Sequence, residues 1–400
     1  MDALQITFHG KFNFHDGNLV VSASGPRNGL RSSPTETVYF RLHKSILATY
    51  STSFADMLQG EGVVEQPVIH LQDPLDHVIK LFTLIYYGGL VPLTLFYVAT
   101  TEFMFGVPSF VPLDPLSRAK WDFLVPVLTL TNKYNMGSLA TRLLPRLLED
   151  WPTTLENWDS VDARTRSIVL ATARERETNF SLPSADDVLP EPVMAIKFGQ
   201  ANPAARNMLP AAFYHLSRLS YSRHEDIGGW NSEGPEVFRS ADHNLMTPED
   251  WVRLVRGQAN IREWLTNMAT YYNVASALPE CPRRVYEDEE AMDEGQDEED
   301  EDGEGDPEGT PNPCGRRDWW ATEIRPLVLE VLGNRVVDVL AQLRRIRAVV
   351  KFGVRDTTSE DDLCYDCQIS LEKWLEESRN RFWMLLPFFF NLGDYPNWGT

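Results

Sequence analysis

The stretch TVYFRLHKSILATYSTSFADML, residues 37–58, contains the pattern that decides the fold. It begins with alternating side chains, with Val38 and Phe40 on one side, which is the period of a strand with one buried face. After His43 the apolar residues follow at steps of three and four, the period of helices. Ser51 interrupts them as a candidate N-cap. The sequence therefore predicts a strand that turns sharply onto a helical hairpin, with the histidine at the corner.

Further strands and a capped helix surround this stretch. Residues 15–24 and 67–73 each predict a short strand, and the first of these is expected to form a hairpin with the strand described above. Asp73 is the candidate N-cap of a helix that Gly88 and its neighbouring glycine end. Residues 119–150 predict two more helices. The N-terminal part of the chain is therefore expected to be an α+β domain of short strands and clustered helices.

This order of elements resembles the BTB/POZ domain over residues 10–150. The matching motif is an Asp before the first strand, a His-Lys pair followed by Leu and Ser-x-x-Phe, and a final Ile-Tyr-x-Gly. In this chain the motif residues are Asp16, His43, Lys44, Leu47, Ser51, Phe54, Ile85, Tyr86 and Gly88. The resemblance implies that His43 and Asp16 fix the junction between strand and helix. It therefore favours a structural role for the imidazole over catalysis or metal binding.

The chain departs from the family pattern in two places. Residues 88–121 form a long connection where the family has a short one. The residues before Gly10 barely supply the added N-terminal strand through which domains of this family often dimerise. The way in which this chain would associate with itself is therefore left open.

The remainder of the chain predicts a mainly α-helical region in two parts. Residues 151–284 are helical in pattern, and residues 314–400 contain apolar stripes that predict helices over 321–350 and 368–386. Between these parts, residues 285–313 include the run EDEEAMDEGQDEEDEDGEGDPE, which has fifteen acidic side chains and no basic one. Such a run predicts a disordered linker.

The charge and composition exclude several classes of protein. The net charge of −21 argues against nucleic-acid binding, which depends on Lys and Arg neutralising phosphates, and the basic run over residues 344–355 predicts a solvated helix end. Residues 81–101 are uncharged and long enough to span a bilayer, but Gly88 and Pro92 interrupt them, so we expect no membrane span. The four cysteines fit a reducing compartment, cytoplasmic or nuclear, and no secretory signal is expected.

Cys364 and Cys367 form the one pattern that suggests site chemistry. Asp residues surround this CxxC pair, and negative charge disfavours the thiolate that a redox role requires. Cys281 and Cys314 flank the acidic run and could complete a four-Cys zinc site, although their spacing is unusual. No HExxH, GxSxG, Walker or GxGxxG motif occurs. We therefore expect no enzymatic activity, no small-molecule substrate and no cofactor, with zinc as the alternative that stays open.

The resemblance implies a role in protein–protein interaction, as a homodimer or as an adaptor that recruits a cullin-type ubiquitin ligase scaffold. The whole chain also resembles uncharacterised fungal-type BTB proteins that end in a CxxC motif and a helix. The candidate partner surface consists of the end of the helical hairpin and one face of the capped helix, with Met57, Leu58, His77 and Phe82. A structural adaptor without a cullin partner and a zinc-stabilised protein are the alternatives.

Overall fold

The computed structural model describes residues 7–26, 35–58, 68–87, 114–219, 239–269, 320–333, 337–352, 365–395 and 398–399 of the 400-residue chain. Contacts divide the chain into two compact units. The first consists of Met1–Pro152 and Ala171–Glu191, and the second of Thr153–Leu170 and Pro192–Thr400. The assignment of Ala171–Glu191 to the first unit is not a feature that the sequence predicted. The chain is α+β, with a small sheet and mostly helical content.

The first unit contains one mixed sheet of four strands in the order β1-β3-β2-β4. The strands are β1 (Thr7–Asn13), β2 (Leu19–Pro26), β3 (Thr35–Leu42) and β4 (Val68–Leu71). β2 and β3 form the predicted antiparallel hairpin, in which Val21 pairs with Phe40. β1 lies parallel to β3 and β4 parallel to β2. The alternation of Val38, Phe40 and Leu42 toward the core is confirmed, since all three side chains are buried.

Strand β1 is an element that the sequence pattern did not predict. It pairs with β3 through Thr7 and Phe8, and its register shifts before Asn13. Phe12 is its one buried side chain. A strand with a single buried residue lacks the alternating pattern by which strands are recognised in a sequence.

Helices cover this sheet and complete the first unit. They are α1 (Lys44–Tyr50), α2 (Thr52–Leu58), α3 (Leu75–Tyr87), α4 (Arg118–Lys133), α5 (Gly137–Leu148) and α7 (Ala185–Val188), with the end of α6 (Leu155–Thr178). The predicted helical hairpin is confirmed as α1 and α2. Phe12, Phe40 and Phe82 bring strand and helix together, with ring centroids 5.2–6.2 Å apart. Such aromatic pairs each contribute about 0.5–1.5 kcal/mol beyond the burial of their area.

The second unit is helical in its described residues. Besides the first part of α6, it contains α8 (Pro192–Ala201), α9 (Leu209–Ser217), α10 (Pro248–Ala269), α11 (Arg325–Gly333), α12 (Val339–Phe352) and α13 (Tyr365–Phe389). Every residue of α9 is buried, so this helix lies at the centre of the unit. α10 begins with a reciprocal capping box between Thr247 and Asp250, which satisfies backbone donors that the first turn leaves unpaired.

The single helix expected over residues 321–350 is wrong, because the chain forms α11 and α12 there. Val337 and Asp338 are not helical. The Asp338 carboxylate accepts a hydrogen bond of 3.0 Å from the backbone N–H of Ala341, as an N-cap residue does. The apolar stripe continues through this position and conceals the cap.

Several predictions lie outside the described residues. These include the acidic linker over 285–313 and most of the uncharged stretch over 81–101, of which the structure describes the part up to Tyr87 in α3. In the described stretches, no helix is both long enough and apolar enough to cross a membrane.

Candidate functional site

The strand–helix corner consists of Asp16, His43 and Tyr86. His43 follows β3 and is the N-cap residue of α1, Tyr86 lies in the last turn of α3, and Asp16 lies in the turn before β2. The backbone N–H of His43 donates to the Tyr86 hydroxyl at 2.9 Å, and its ring Nδ1 lies 3.4 Å from the same oxygen. Its Nε2 lies 3.2 Å from the Asp16 carboxylate. The corner therefore joins three segments that are distant in the sequence.

The surroundings of the corner suit a structural role better than a catalytic one. The ring of Phe14 stacks on Tyr86 with centroids 4.7 Å apart and contacts His43 at 5.0 Å. The hydrogen bond from His43 lowers the pKa of Asp16, and burial raises the pKa of Tyr86. The carboxylate is therefore charged and the phenol neutral near pH 7, so neither group is poised to exchange a proton there.

Ser51 lies between α1 and α2 and fixes the base of the hairpin. Its Oγ accepts a hydrogen bond of 3.0 Å from the Phe54 backbone N–H and donates to the Tyr134 carbonyl. The Phe54 ring is fully buried and stacks on Tyr134 at 4.9 Å. These contacts hold α2 against the turn that links α4 to α5.

The other motif residues take different positions. Leu47 and Ile85 are buried in the core. The backbone N–H of Lys44 donates to the Asn18 side chain at 2.9 Å, which ties the start of α1 to the residue before β2. Gly88 lies outside the described residues.

The structure corrects part of the predicted partner surface. Met57 is 48% exposed, and Leu58 and His77 are partly exposed. Phe82 has no exposed surface. It lies on the face of α3 that packs against the sheet, so it cannot contact a partner. The accessible part of the predicted surface is therefore the end of α2, with His77 on α3.

The structure describes one of the four cysteines and therefore does not test whether they lie together. Cys367 is buried in the first turn of α13, and Cys281, Cys314 and Cys364 lie outside the described residues. Among the residues that are described, no three His, Cys, Asp or Glu side chains are arranged to hold a metal ion. The four-Cys zinc site stays a prediction.

The second unit contains a buried ionic cluster that the sequence did not predict. Arg218, which is 1% exposed, places Nη1 at 2.9 Å from Asp162 and 2.6 Å from Asp338. Arg166 reaches the same two carboxylates at 2.8 and 3.1 Å. Each of the two aspartates thus pairs with both arginines.

Further residues extend this cluster across the unit. Arg344 contacts both Asp159 and Asp162 at 2.8 Å, and Arg379 contacts Asp159 at 2.7 Å. The Tyr214 hydroxyl donates to Asp338 at 2.9 Å. The cluster therefore connects α6, α9, α12 and α13.

The charges in the cluster determine its protonation. Burial raises the pKa of Asp162 and of Asp338, but the guanidinium groups of Arg218 and Arg166 lower both by more, so each carboxyl has a pKa below its usual value. Burial raises the pKa of Tyr214 well above its ordinary value. Both acids are therefore ionised and the phenol is neutral near pH 7, as the hydrogen bonds of the cluster require.

His215 adjoins the cluster between two guanidinium groups. Its Nδ1 lies 3.0 Å from Arg218 and its Nε2 lies 2.8 Å from Arg239. Burial lowers the pKa of His215 well below its ordinary value, and the two cations lower it further. A cavity of about 10 Å³ borders these three residues. It accommodates about one water molecule, so we interpret the cluster as a structural network and not as a substrate site.

The described arginines of the basic run in α12 each pair with an acidic residue. Arg344 pairs with buried and half-buried acids, Arg345 contacts Glu330 at 3.2 Å, and Arg347 contacts Glu376 at 2.8 Å. Arg344 therefore reaches a buried acid, which the expected solvated helix end does not describe, whereas Arg345 and Arg347 form half-exposed ion pairs at the surface.

Two signals in the sequence could have indicated the cluster. Asp162 and Arg166 have the i, i+4 spacing of a helical ion pair, and Asp338 precedes a helix as an N-cap. The partners of these residues lie up to 182 positions away, which is beyond the reach of any local pattern.

Comparisons of the chain with models of protein families, with curated proteins and with solved structures found no match. The arrangement of the described residues is therefore the basis on which its function is inferred.

Proposed function

We propose that the chain is a non-enzymatic adaptor for protein–protein interaction, in which the first unit is the association module. The observation that supports this proposal is the exposure of apolar surface at the end of α2. Met57 is 48% exposed and Leu58 is partly exposed beside it. A flexible methionine on a protein surface suits contact with a protein partner.

The hairpin that presents these side chains is held rigidly. Ser51 bonds both to α2 and to the Tyr134 carbonyl, and the Asn135 amide donates to Thr52 at 2.7 Å. The buried ring of Phe54 anchors the same helix to the core. An apolar contact on a fixed helix loses little conformational freedom when a partner binds, which favours affinity.

The resemblance to the BTB/POZ domain implies two partners for such a surface, a second copy of the chain or a cullin-type scaffold. We propose that the end of α2 contacts one of these proteins. A structural adaptor that has neither partner is the alternative, and direct measurement distinguishes the three.

The experiment measures the mass of the purified chain by light scattering over a range of concentrations, and its binding to a purified cullin-type scaffold by interferometry. The proposal predicts a concentration-dependent dimer or saturable binding to the scaffold. Met57→Glu is expected to weaken whichever interaction is observed by about tenfold or more, because it places a charge in an apolar contact.

A matched control is available in the same unit. Phe180 is 82% exposed, and Phe180→Glu introduces the same charge at a different exposed apolar position. This variant is expected to associate as the unchanged chain does. The proposed role of α2 would be contradicted if the chain stayed monomeric and did not bind the scaffold. It would also be contradicted if both variants weakened the observed interaction equally.

A further inference from the structure

A groove of about 310 Å³ lies in the second unit, beside the last turns of α13 and the residues that follow them. Met384 and Phe388 form one side, and Asp394, Tyr395 and Trp398 contribute to the rest. This volume is at the lower end of the range of about 300–1,000 Å³ that ligand pockets occupy. The groove is therefore large enough for a few side chains of a partner.

The chain that forms the groove is held in place by specific contacts. The Trp398 indole N–H donates to the Trp383 carbonyl at 2.7 Å, and the two rings stack at 4.8 Å. The Arg206 guanidinium donates to the Leu392 carbonyl at 3.0 Å. Gly393 has a φ of 87°, a conformation that a residue with a side chain rarely adopts. The groove is thus formed before any partner arrives.

Two kinds of chemistry meet in this groove. Phe388 is 74% exposed and Met384 is 51% exposed, one helical turn apart on α13. Asp394 is exposed, and no cation in the described part of the chain forms an ion pair with it. A carboxylate close to an open aromatic ring attracts a cation through both charge and the ring face.

Next to the groove, a guanidinium group already lies against an aromatic ring. The Arg206 Cζ atom lies 5.2 Å from the centroid of Tyr395. Phe388 offers a comparable ring to the solvent side. The net charge of −21 also favours the approach of basic partners and disfavours acidic ones.

We infer that this groove binds a basic and apolar peptide segment of another protein. An Arg or Lys side chain of the peptide pairs with Asp394 and lies over Phe388, and an adjacent aliphatic side chain packs on Met384. This site is in the second unit and does not depend on the role proposed for α2.

The test titrates the full chain against a fluorescein-labelled peptide of alternating Arg and Leu residues and measures anisotropy at about 0.15 M salt, where charges more than about 8 Å apart are screened. Asp394→Lys and Phe388→Ser are each expected to weaken binding by about five- to tenfold. Both positions are exposed, so both variants are expected to fold. A peptide with Glu in place of Arg is expected not to bind.

Two matched variants separate the groove from a general attraction to an acidic protein. Glu263 and Val255 are exposed positions of α10 in the same unit. Glu263→Lys reverses a charge as Asp394→Lys does, and Val255→Ser replaces an exposed apolar side chain with serine as Phe388→Ser does. They are expected to leave the affinity unchanged within about twofold. The inference fails if the unchanged chain shows no saturation up to about 1 mM peptide, or if Glu263→Lys weakens binding as much as Asp394→Lys does.

Discussion

The two units differ in the groups that form their interiors. In the first unit, the aromatic cluster of Phe12, Phe40 and Phe82 makes the core, and the buried Lys120 and Asp150 form a pair at 2.8 Å. In the second unit, buried carboxylates and guanidinium groups each pair with more than one partner, and Arg218 pairs with two aspartates. A charged group with several partners connects more helices than an ion pair of two residues does.

This difference has an energetic consequence. Aromatic packing loses stability in proportion to the volume that a mutation removes. A buried ionic network contributes little net stability when complete, but removal of one member leaves its partners buried and unpaired. The second unit is therefore expected to be the more sensitive to the loss of a single side chain.

The largest effect is expected for Arg218→Met. The change leaves Asp162 and Asp338 without their most buried cation, and it should lower the free energy of unfolding of the second unit by about 4 kcal/mol. Native-state hydrogen exchange across α9 measures this local stability. Unchanged hydrogen exchange in α9 would contradict the expected sensitivity of the second unit to the loss of one side chain.

Arg345→Met is the control for this variant. Arg345 is half exposed and pairs with Glu330 at the surface, where an ion pair contributes less than about 1 kcal/mol. A similar loss from both arginines would mean that burial does not decide the effect.

Phe54→Ala is expected to cost somewhat less, about 3 kcal/mol, because the ring is fully buried against Tyr134 but leaves no charge behind. Hydrogen exchange across α3 reports the stability of the first unit. Met57→Ala, on the exposed side of the same helix, should change it by less than about 0.5 kcal/mol. Equal effects at the two positions would contradict the assignment of inner and outer faces to α2.

The two regions also differ in how far the sequence predicts them. The hairpin of β2 and β3, the helices α1 and α2, and the separation of α4 from α5 each follow from a local period or a turn residue. Strand β1 was missed because Phe12 is its one buried residue, and the break before α12 was missed because an apolar stripe conceals the Asp338 cap. Periodicity therefore reveals elements that bury a whole face and misses those that do not.

The same reason limits the prediction of sites. His43 and Ser51 could be placed at the corner and at the hairpin because each interrupts a periodic pattern. Phe82 was assigned to a partner surface, since a period alone does not say which apolar residues are covered. Arg218 gave no signal, because its partners Asp162 and Asp338 lie 56 and 120 positions away in the sequence.

The next prediction is that folding stability depends more steeply on pH in the second unit than in the first. Burial, Arg239 and Arg218 lower the pKa of His215 well below its ordinary value of 6.5, against a smaller opposing effect of Asp162. Below pH 6.5 the unfolded chain therefore binds a proton that the folded chain does not. By linkage, the stability of this unit falls as the pH falls from about 7 toward 5.

Hydrogen exchange at pH 7.5 and 5.5, corrected for intrinsic rates, measures this fall in α9 and in α3. Burial also lowers the pKa of His9 and His77 in the first unit, but these residues are half-buried, so the fall in α3 should be shallower. His215→Gln should flatten the dependence in α9. A slope that survives this substitution would assign the effect to other groups.

The smallest effect is expected at the corner, for Asp16→Asn. The Asp16 side chain is 83% exposed, so solvent screens its attraction to His43 and the unfolding midpoint should stay within error of the unchanged chain. Tyr86→Phe should cost more, about 1 kcal/mol, because the His43 backbone N–H loses its acceptor. If Asp16→Asn proves as costly as Tyr86→Phe, the corner depends on charge as the second unit does, and the contrast between the two units no longer holds.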